Sequence, residues 1–166
     1  MHFIREGKKL EKKIKLQARP DDLALLNKKL VNRPAPSFDL PVVTGTSSGN
    51  LAKLKGKVIL VEFWATWCPA CRATHPRLSA LQKKHGDKLV VVGISNEPPQ
   101  EQSSYAKESK IAFTLLEDKE GKTQNEFFVN AIPQLVVIDR TGKVVLATIG
   151  AGEYLEEAIS AAEQML

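Results

Sequence analysis

The spacing of apolar and polar residues changes several times along the chain, and each pattern predicts a strand or a helix. Residues 57–63 are apolar on both alternating faces, which is typical of a central strand covered on both sides. Residues 89–95, rich in Val, predict a second buried strand. Shorter patterns predict strands over residues 38–43, 113–116, 134–139 and 143–149, and helices over residues 69–84, 100–110, 123–129 and 153–165. This alternation predicts an α/β domain with a central mixed β-sheet flanked by helices.

The N-terminal residues follow a different pattern. We predict a short helix over residues 8–15 and a second helix from Asp21 or Asp22 to Leu30. The segment Arg33-Pro34-Ala35-Pro36 then breaks any helix and favours extended backbone. We therefore divide the chain into an N-terminal extension, residues 1–33, partly helical or mobile, and a domain of residues 34–166.

Composition and charge narrow the classes of protein. The chain has 166 residues, 43% hydrophobic and 26% charged, which suits one folded domain and argues against wholesale disorder. No run approaches the ~20 apolar residues of a membrane helix, and the first 30 residues lack the apolar segment of a secretory signal. The net charge of +5 divides into +6 for residues 1–33 and −1 for residues 34–166. The basic extension therefore suits either contact with anionic lipid or a solvated segment.

Nucleic-acid binding is not expected, because Phe3 is the only aromatic residue in the basic extension. The candidate chemistry lies elsewhere, at Cys68 and Cys71, the only two cysteines. Cys68 stands where the helix should begin, and unpaired amides at a helix start favour a thiolate. Pro69 suits the first helical position, which has no use for an N–H group. The pair therefore predicts thiol–disulfide exchange, with Cys68 as an exposed nucleophile and Cys71 as the resolving thiol.

Other uses of the two cysteines fit the sequence less well. A disulfide that closes a two-residue loop adds little stability through chain entropy. Zinc normally takes four ligands, so a metal site of Cys68, Cys71 and His75 stays open only as a lesser alternative. We expect His75 to be a helix-surface residue. A haem attachment site requires His directly after the second cysteine, where this chain has Arg72.

Residues 61–71, Val-Glu-Phe-Trp-Ala-Thr-Trp-Cys-Pro-Ala-Cys, resemble the active-site segment of the thioredoxin superfamily. Pro76 is similar to the proline that kinks the active-site helix of that family, and Ile132-Pro133 is similar to its cis-proline loop. The opening segment Ala-Pro-Ser-Phe-Asp-Leu and the long segment over residues 96–102 resemble the TlpA/ResA-type branch, whose usual members are bacterial, extracytoplasmic and often membrane-anchored. The resemblance covers roughly residues 34–160 and leaves the extension outside.

The resemblance implies a role for Glu62, which matches the buried acid behind the second cysteine. An acid inside a buried run is costly unless it is neutral or paired, so we expect Glu62 to accept the proton of Cys71. The family acid in thioredoxin itself is usually the shorter aspartate. The alternative is that Glu62, near the end of its strand, reaches solvent.

The resemblance also implies a client-binding surface around the cysteines. A cis-proline loop beside Cys68 would leave the backbone of Ile132 free to pair with an extended client. Trp67 directly precedes Cys68, and we expect it on this surface. The alternative is that Trp64 and Trp67 are both core residues. The expected substrate-binding residues are Trp67, Pro69, Ala70, Ile132 and Pro133.

The implied activity is a thiol–disulfide oxidoreductase that reduces disulfides of protein clients and is restored by an upstream thiol donor. We expect no cofactor beyond the redox-active disulfide, no metal and a monomer, with membrane contact through the extension. The alternatives are a thiol peroxidase, although Ala65 stands where such enzymes have Thr or Ser, and a metal-handling or partner-binding module without turnover. We expect an extracytoplasmic protein, with a cytoplasmic one as alternative because a basic segment just outside an anchor opposes the positive-inside bias.

Overall fold

The computed structural model of the protein describes residues 2–5, 8–11 and 22–166. The strands are β1 His2–Arg5, β2 Lys8–Glu11, β3 Val42–Thr44, β4 Val58–Phe63, β5 Leu89–Ser95, β6 Thr114–Glu117, β7 Gln134–Ile138 and β8 Val144–Ile149. The helices are α1 Asp22–Leu30, α2 Pro69–His85, α3 Pro99–Glu108, α4 Lys122–Glu126 and α5 Glu153–Gln164, with a 3₁₀ turn over Leu51–Leu54.

Six strands form one sheet in the order β3-β6-β5-β4-β7-β8. The central strands β4, β5 and β6 run parallel, whereas β7 and β8 on one side and β3 on the other are antiparallel to their neighbours. The predicted α/β class with a mixed sheet is confirmed.

Strand β4 is buried along its whole length and divides the core in two. Val58 and Leu60 face a cluster that contains side chains of α2 and α5, and Ile59 and Phe63 face a second cluster on the opposite side of the sheet. Because successive side chains of a strand alternate between faces, Glu62 belongs to the face of Leu60 and α2. Burial of one such aliphatic side chain contributes about 1.5–3 kcal/mol, so β4 is a firm support for the residues that follow it.

Residues typical of helix ends are found at both ends of α2. Cys68 caps its first turn and Pro69 takes the first helical position, where a missing N–H leaves no bond unmade. Gly86 ends the helix with a φ of +54°, a conformation that favours glycine. Basic residues in the last turn complement the negative end of the helix dipole.

The predicted helix over residues 8–15 is wrong in its described part. Residues 8–11 form β2, which pairs antiparallel with β1 from His2↔Glu11 to Arg5↔Lys8. The helix prediction relied on the four-residue spacing of Leu10 and Ile14, and strand pairing satisfies the backbone of both segments instead. Residues 12–15 lie outside the described residues.

Helix α1 confirms the second predicted helix of the extension. Leu26 and Leu30 are buried in the cluster on the second face of the sheet, and the backbone of Asn32 and Arg33 hydrogen-bonds to Val144 of β8. This part of the extension therefore packs on the domain, while the boundary at residue 33 stays a prediction. Within the described ranges, no helix combines the length and apolar character needed to span a membrane.

Candidate active site

The two cysteines form a disulfide at the start of α2. The Sγ atom of Cys68 accepts a 3.1 Å hydrogen bond from the backbone amide of Cys71. The same amide, at the positive end of the helix dipole, is placed to stabilise a Cys68 thiolate after reduction. The geometry therefore favours Cys68 as the nucleophile of the pair.

Both cysteines are nearly enclosed in this disulfide form. Cys68 is 4% exposed and Cys71 is fully buried. The expectation of an exposed Cys68 is wrong for the oxidised protein, because Cys68 packs in a buried cluster with Trp64, Ala65 and Cys71. Cys68 is nevertheless the more accessible of the two.

The residues next to Cys68 are open to solvent. Trp67 is 71% exposed, and Pro69 and Ala70 are exposed as well. Trp64 is 2% exposed and lies in the core, so the alternative that buries both tryptophans is wrong. The indole of Trp67 therefore forms an exposed apolar surface beside Cys68.

The loop before β7 approaches the disulfide from the other side. The Ile132–Pro133 peptide bond is cis, as expected. The carbonyl oxygen of Ile132 lies 3.8 Å from the Sγ atom of Cys68, and the carbonyl of Pro133 accepts a 2.8 Å hydrogen bond from Gly150. Ile132 is half-buried and Pro133 buried. The structure thus brings Ile132 to the nucleophile and ties Pro133 to the end of β8.

Glu62 is fully buried, so the alternative in which it reaches solvent is wrong. Its Oε1 atom forms a hydrogen bond with the hydroxyl of Thr74, and the same hydroxyl lies 2.6 Å from the carbonyl oxygen of Cys71. Thr74 therefore links the buried carboxyl group to the backbone of the resolving cysteine. Gly93 of β5 pairs with Glu62. A Cβ atom at position 93 would lie 3.0 Å from the indole nitrogen of Trp64, so a larger residue would crowd the core beside Glu62.

His75 is 1% exposed, so its predicted place on the helix surface is wrong. Its Nε2 atom lies 3.1 Å from Oε2 of Glu62, an ion-pair distance without hydrogen-bond alignment, and its Nδ1 atom lies 2.9 Å from the hydroxyl of Tyr105. The helical period explains the error, because residues 71, 74, 75 and 78 share one face of α2 and all are buried.

The lesser alternative of a metal site has no support in this geometry. Both ring nitrogens of His75 face Glu62 and Tyr105 rather than the cysteines. Across the part of the chain that the structure describes, no three or more His, Cys, Asp or Glu side chains are grouped to hold a metal ion.

Thr66 and Glu97 form another contact that the sequence did not reveal, besides those of His75. The amide and the hydroxyl of Thr66 donate to the two carboxylate oxygens of Glu97, each over 2.6 Å. Gln102 and Ser95 hold Glu97 in turn, through bonds of 2.7 Å to its carbonyl and 3.2 Å to its carboxylate. The long segment over residues 96–102 was the available signal, although nothing in it pointed to Thr66.

Comparisons with known proteins agree with this geometry. The Redoxin family profile matches residues 30–166. The chain is 36% identical over 114 residues to the thioredoxin-like protein YneN of Bacillus subtilis, covering 66% of each protein. It is 30% identical over 122 residues to the thiol-disulfide oxidoreductase ResA of Bacillus cereus, covering 72% of this chain and 70% of ResA. The alignments thus span about two thirds of the length of these relatives.

A solved structure gives the same result. The thiol:disulfide interchange protein of the thioredoxin family from Chlorobium tepidum TLS superposes with a TM-score of 0.67 at 30% sequence identity. The match covers 79% of this chain and 96% of that one. The fold described here therefore has a counterpart in a solved structure of the thioredoxin family.

Proposed function

The chain belongs to the Redoxin family and is a thiol–disulfide oxidoreductase, and we propose that Cys68 attacks the disulfides of protein clients. Cys71 then resolves the mixed disulfide, with Glu62 as acceptor of its proton. The observation that carries this assignment is the hydrogen bond from the Cys71 amide to the Cys68 sulfur at the first turn of α2. It stabilises negative charge on one sulfur of the pair and not on the other.

The reaction takes two exchanges. The Cys68 thiolate attacks one sulfur of the client disulfide, and the other client sulfur leaves with the electron pair of the broken bond. Cys71 loses its proton to Glu62, and its sulfur attacks Cys68, which releases the second client sulfur. The client is reduced by two electrons, and the Cys68–Cys71 disulfide is restored to the dithiol by an upstream thiol donor.

We place the client on the open surface beside Cys68. Trp67 supplies exposed apolar area, and Ile132 supplies a backbone carbonyl that lies 3.8 Å from the sulfur. An extended client segment can pair with backbone at this loop while its disulfide meets Cys68. Pro69 and Ala70, both exposed, form the rest of the contact.

The remaining parts of the proposal rest on the family resemblance and, for membrane contact, on the basic charge of the extension. The protein acts as a monomeric reductase outside the cytoplasm, its basic extension contacts the membrane, and it needs no cofactor beyond its disulfide. The reduction potential of the Cys68–Cys71 pair tests the direction. A value between about −200 and −270 mV supports a reductase, whereas a value near −120 mV is that of a strong oxidant and overturns this part.

Turnover tests the activity itself. We expect the reduced protein to reduce insulin with dithiothreitol as donor, and the Cys68→Ser variant to lose this activity. Trp67→Ala should slow insulin reduction several-fold and leave the reaction with glutathione disulfide nearly unchanged, because the small disulfide does not need the apolar surface. An inactive wild-type protein would contradict the proposed activity. Equal losses of Trp67→Ala on insulin and on glutathione disulfide would contradict the proposed client surface.

A further inference from the structure

Three buried side chains from three elements form a polar chain behind the disulfide. Glu62 lies on β4, His75 on α2 and Tyr105 on α3. The Glu62 Oε2 and His75 Nε2 atoms are 3.1 Å apart, and the His75 Nδ1 and Tyr105 Oη atoms are 2.9 Å apart. Glu62, His75 and Tyr105 have exposed fractions of 0%, 1% and 9%, so the chain leads from the sealed core towards the surface.

The surroundings of this chain are largely aromatic. The rings of Trp64 and Phe113 contact the imidazole edge-on, with centroids 4.9 Å and 5.6 Å away. Arg72 is a charged neighbour of this chain, with its guanidinium 5.7 Å from the Tyr105 ring centre, and both cysteines lie in the first turn of α2 or at its cap. A net charge in such a place is costly, because an unpaired buried ion loses several kcal/mol of solvation.

Glu62 therefore cannot take up and lose a proton cheaply by itself. If Glu62 alone changed protonation in each cycle, the buried site would alternate between neutral and charged. A partner that changes protonation in the opposite sense would keep the site neutral. His75 is suited to this role, because its Nε2 atom lies next to Glu62 and its Nδ1 atom contacts Tyr105, the more exposed end of the chain.

We propose that His75 compensates the charge of Glu62 in each redox cycle and exchanges its proton with solvent through Tyr105. The inference rests on the proposed function, because it concerns the step in which Cys71 resolves the mixed disulfide. His75 and Tyr105 touch neither client nor sulfur in this assignment. They are positioning residues that act through Glu62.

This assignment leaves every side chain of the polar chain neutral in the disulfide form. Protonated Glu62 donates to the Thr74 hydroxyl, and Thr74 donates its single proton to the carbonyl of Cys71, 2.6 Å away. His75 holds its proton on Nε2, which lies 3.1 Å from Oε2 of Glu62 without hydrogen-bond alignment, and accepts from the Tyr105 hydroxyl on Nδ1. The Thr74 hydroxyl has one proton but lies close to two oxygen atoms, Oε1 of Glu62 and the carbonyl oxygen of Cys71. Both contacts are hydrogen bonds if Glu62 supplies the second proton.

The dithiol form carries a Glu62 carboxylate and a His75 imidazolium. During resolution the Cys71 thiol gives its proton to Glu62, and its sulfur bonds to Cys68 as the client thiolate leaves with the electron pair. His75 passes its Nδ1 proton to Tyr105, whose own proton goes to water. When the upstream donor reduces the disulfide, the Cys71 sulfur takes the proton of Glu62, and His75 regains one from water through Tyr105.

The unmodified protein gives the first test. The imidazole ¹⁵N signals of His75 should report a neutral ring in the disulfide form and a doubly protonated ring in the dithiol form near neutral pH. The signals of His85, on the same helix but bonded to Glu163 over 2.8 Å, should change little and serve as the internal control. Equal protonation of His75 in the two forms would overturn the proposal.

Rapid mixing with a disulfide probe gives the second test, because it separates mixed-disulfide formation from resolution. His75→Gln should leave formation within about two-fold and slow resolution about ten-fold or more, and Tyr105→Phe should slow resolution several-fold. The resolution rate of His75→Gln should also rise with pH over the range where that of the wild type is level. His85→Gln is the matched control and should match the wild type in both steps.

A double-mutant cycle separates a positioning role from a merely structural one. In the Glu62→Gln background, His75→Gln should add less than about two-fold, because His75 acts through Glu62. A full effect in that background, or resolution by His75→Gln within two-fold of the wild type, would overturn the inference. Loss of mixed-disulfide formation in the wild type would instead contradict the proposed function.

Discussion

Thr66 is held by Glu97 through two hydrogen bonds of 2.6 Å, one from its backbone amide and one from its hydroxyl. Thr66 lies two residues before Cys68, and Glu97 follows β5 in the segment that leads into α3. The amide of Cys68 in turn bonds to the carbonyl of Ala65 over 3.1 Å. The turn that presents the nucleophile is thus fixed from the neighbouring strand as well as from its own helix.

Removal of the Glu97 carboxylate should loosen this turn. Glu97→Ala leaves two donors of Thr66 without their acceptor, and we expect a loss of about 1–3 kcal/mol in the free energy of unfolding. Urea titration measures this loss. Glu101→Ala, a change at an exposed position in the first turn of α3, is the control and should stay within about 0.5 kcal/mol. Equal stability of the two variants would show that the turn does not depend on Glu97.

Glu62→Gln should affect only the second exchange. Gln keeps the size and polarity of Glu62 but cannot take a proton, so mixed-disulfide formation by Cys68 should be nearly unchanged. Resolution by Cys71 should slow by ~10²-fold, the typical contribution of a general base. Single-turnover trapping of the mixed disulfide gives both rates.

Stability provides a check on the same variant. Because Glu62 is fully buried, its replacement by a neutral group should not lower the free energy of unfolding near neutral pH. Unchanged resolution together with unchanged stability would remove Glu62 from the mechanism.

The hairpin between β7 and β8 makes stability depend on pH through Asp139. Partial burial opposes its ionisation, but hydrogen bonds from Thr141 and Lys143 outweigh it and lower the pKa of Asp139. A carboxyl group with a lowered folded pKa stabilises the fold above its unfolded pKa, and this contribution is lost as pH falls through the folded value.

We therefore expect Asp139→Asn to lower the free energy of unfolding at pH 7 by about 1 kcal/mol. The difference from the wild type should shrink below about pH 4, the range where an ordinary Asp becomes protonated. Urea titrations at pH 7 and pH 3 measure it. Asp87→Asn is the control, since the side chain of Asp87 is 98% exposed and its 3.6 Å ion pair with Lys57 lies at the surface, where such pairs contribute little. A difference that does not depend on pH would contradict this assignment.

The N-terminal extension should be dispensable for chemistry, and part of it should matter for stability. We expect deletion of residues 1–33 to leave insulin reduction within a few-fold. Leu26→Ala should lower the free energy of unfolding by about 2–5 kcal/mol, because Leu26 is buried in the core. Leu25→Ala is the matched control on the same helix, where the side chain is 40% exposed. A ten-fold loss of activity in the folded truncation would assign the extension to the active unit.

The central strands were predictable because strands buried on both faces have nearly continuous apolar sequences. Residues 58–63 are apolar except for Glu62, and residues 89–94 contain no polar side chain. The first strand of the domain was not predictable in this way. The predicted strand over residues 38–43 is shortened and shifted to Val42–Thr44. Phe38 and Leu40 bond instead to Leu51 and Gly49, across a turn whose Gly, Ser and Thr residues carry no apolar period.

The site divides in the same way. The cysteines and the cis-proline loop are local motifs, so their positions could be predicted from short segments. The contacts of Glu62 with Thr74 and His75 join a strand to a helix, and that of His75 with Tyr105 joins two helices. Such contacts depend on tertiary packing, which outweighed the ordinary preference of a polar side chain for the helix surface. The period of α2 was the one local signal for them.

Single-cysteine variants test the central claim, that Cys68 attacks and Cys71 resolves, most directly. Each variant, fully reduced, is mixed with a small aromatic disulfide, and mixed-disulfide formation is followed against pH. Cys71→Ser, which keeps Cys68, should react at least ten-fold faster near neutral pH and with a lower apparent pKa, because the free thiol lies at the start of α2. If Cys68→Ser reacts faster and titrates lower, the roles of the two cysteines are reversed.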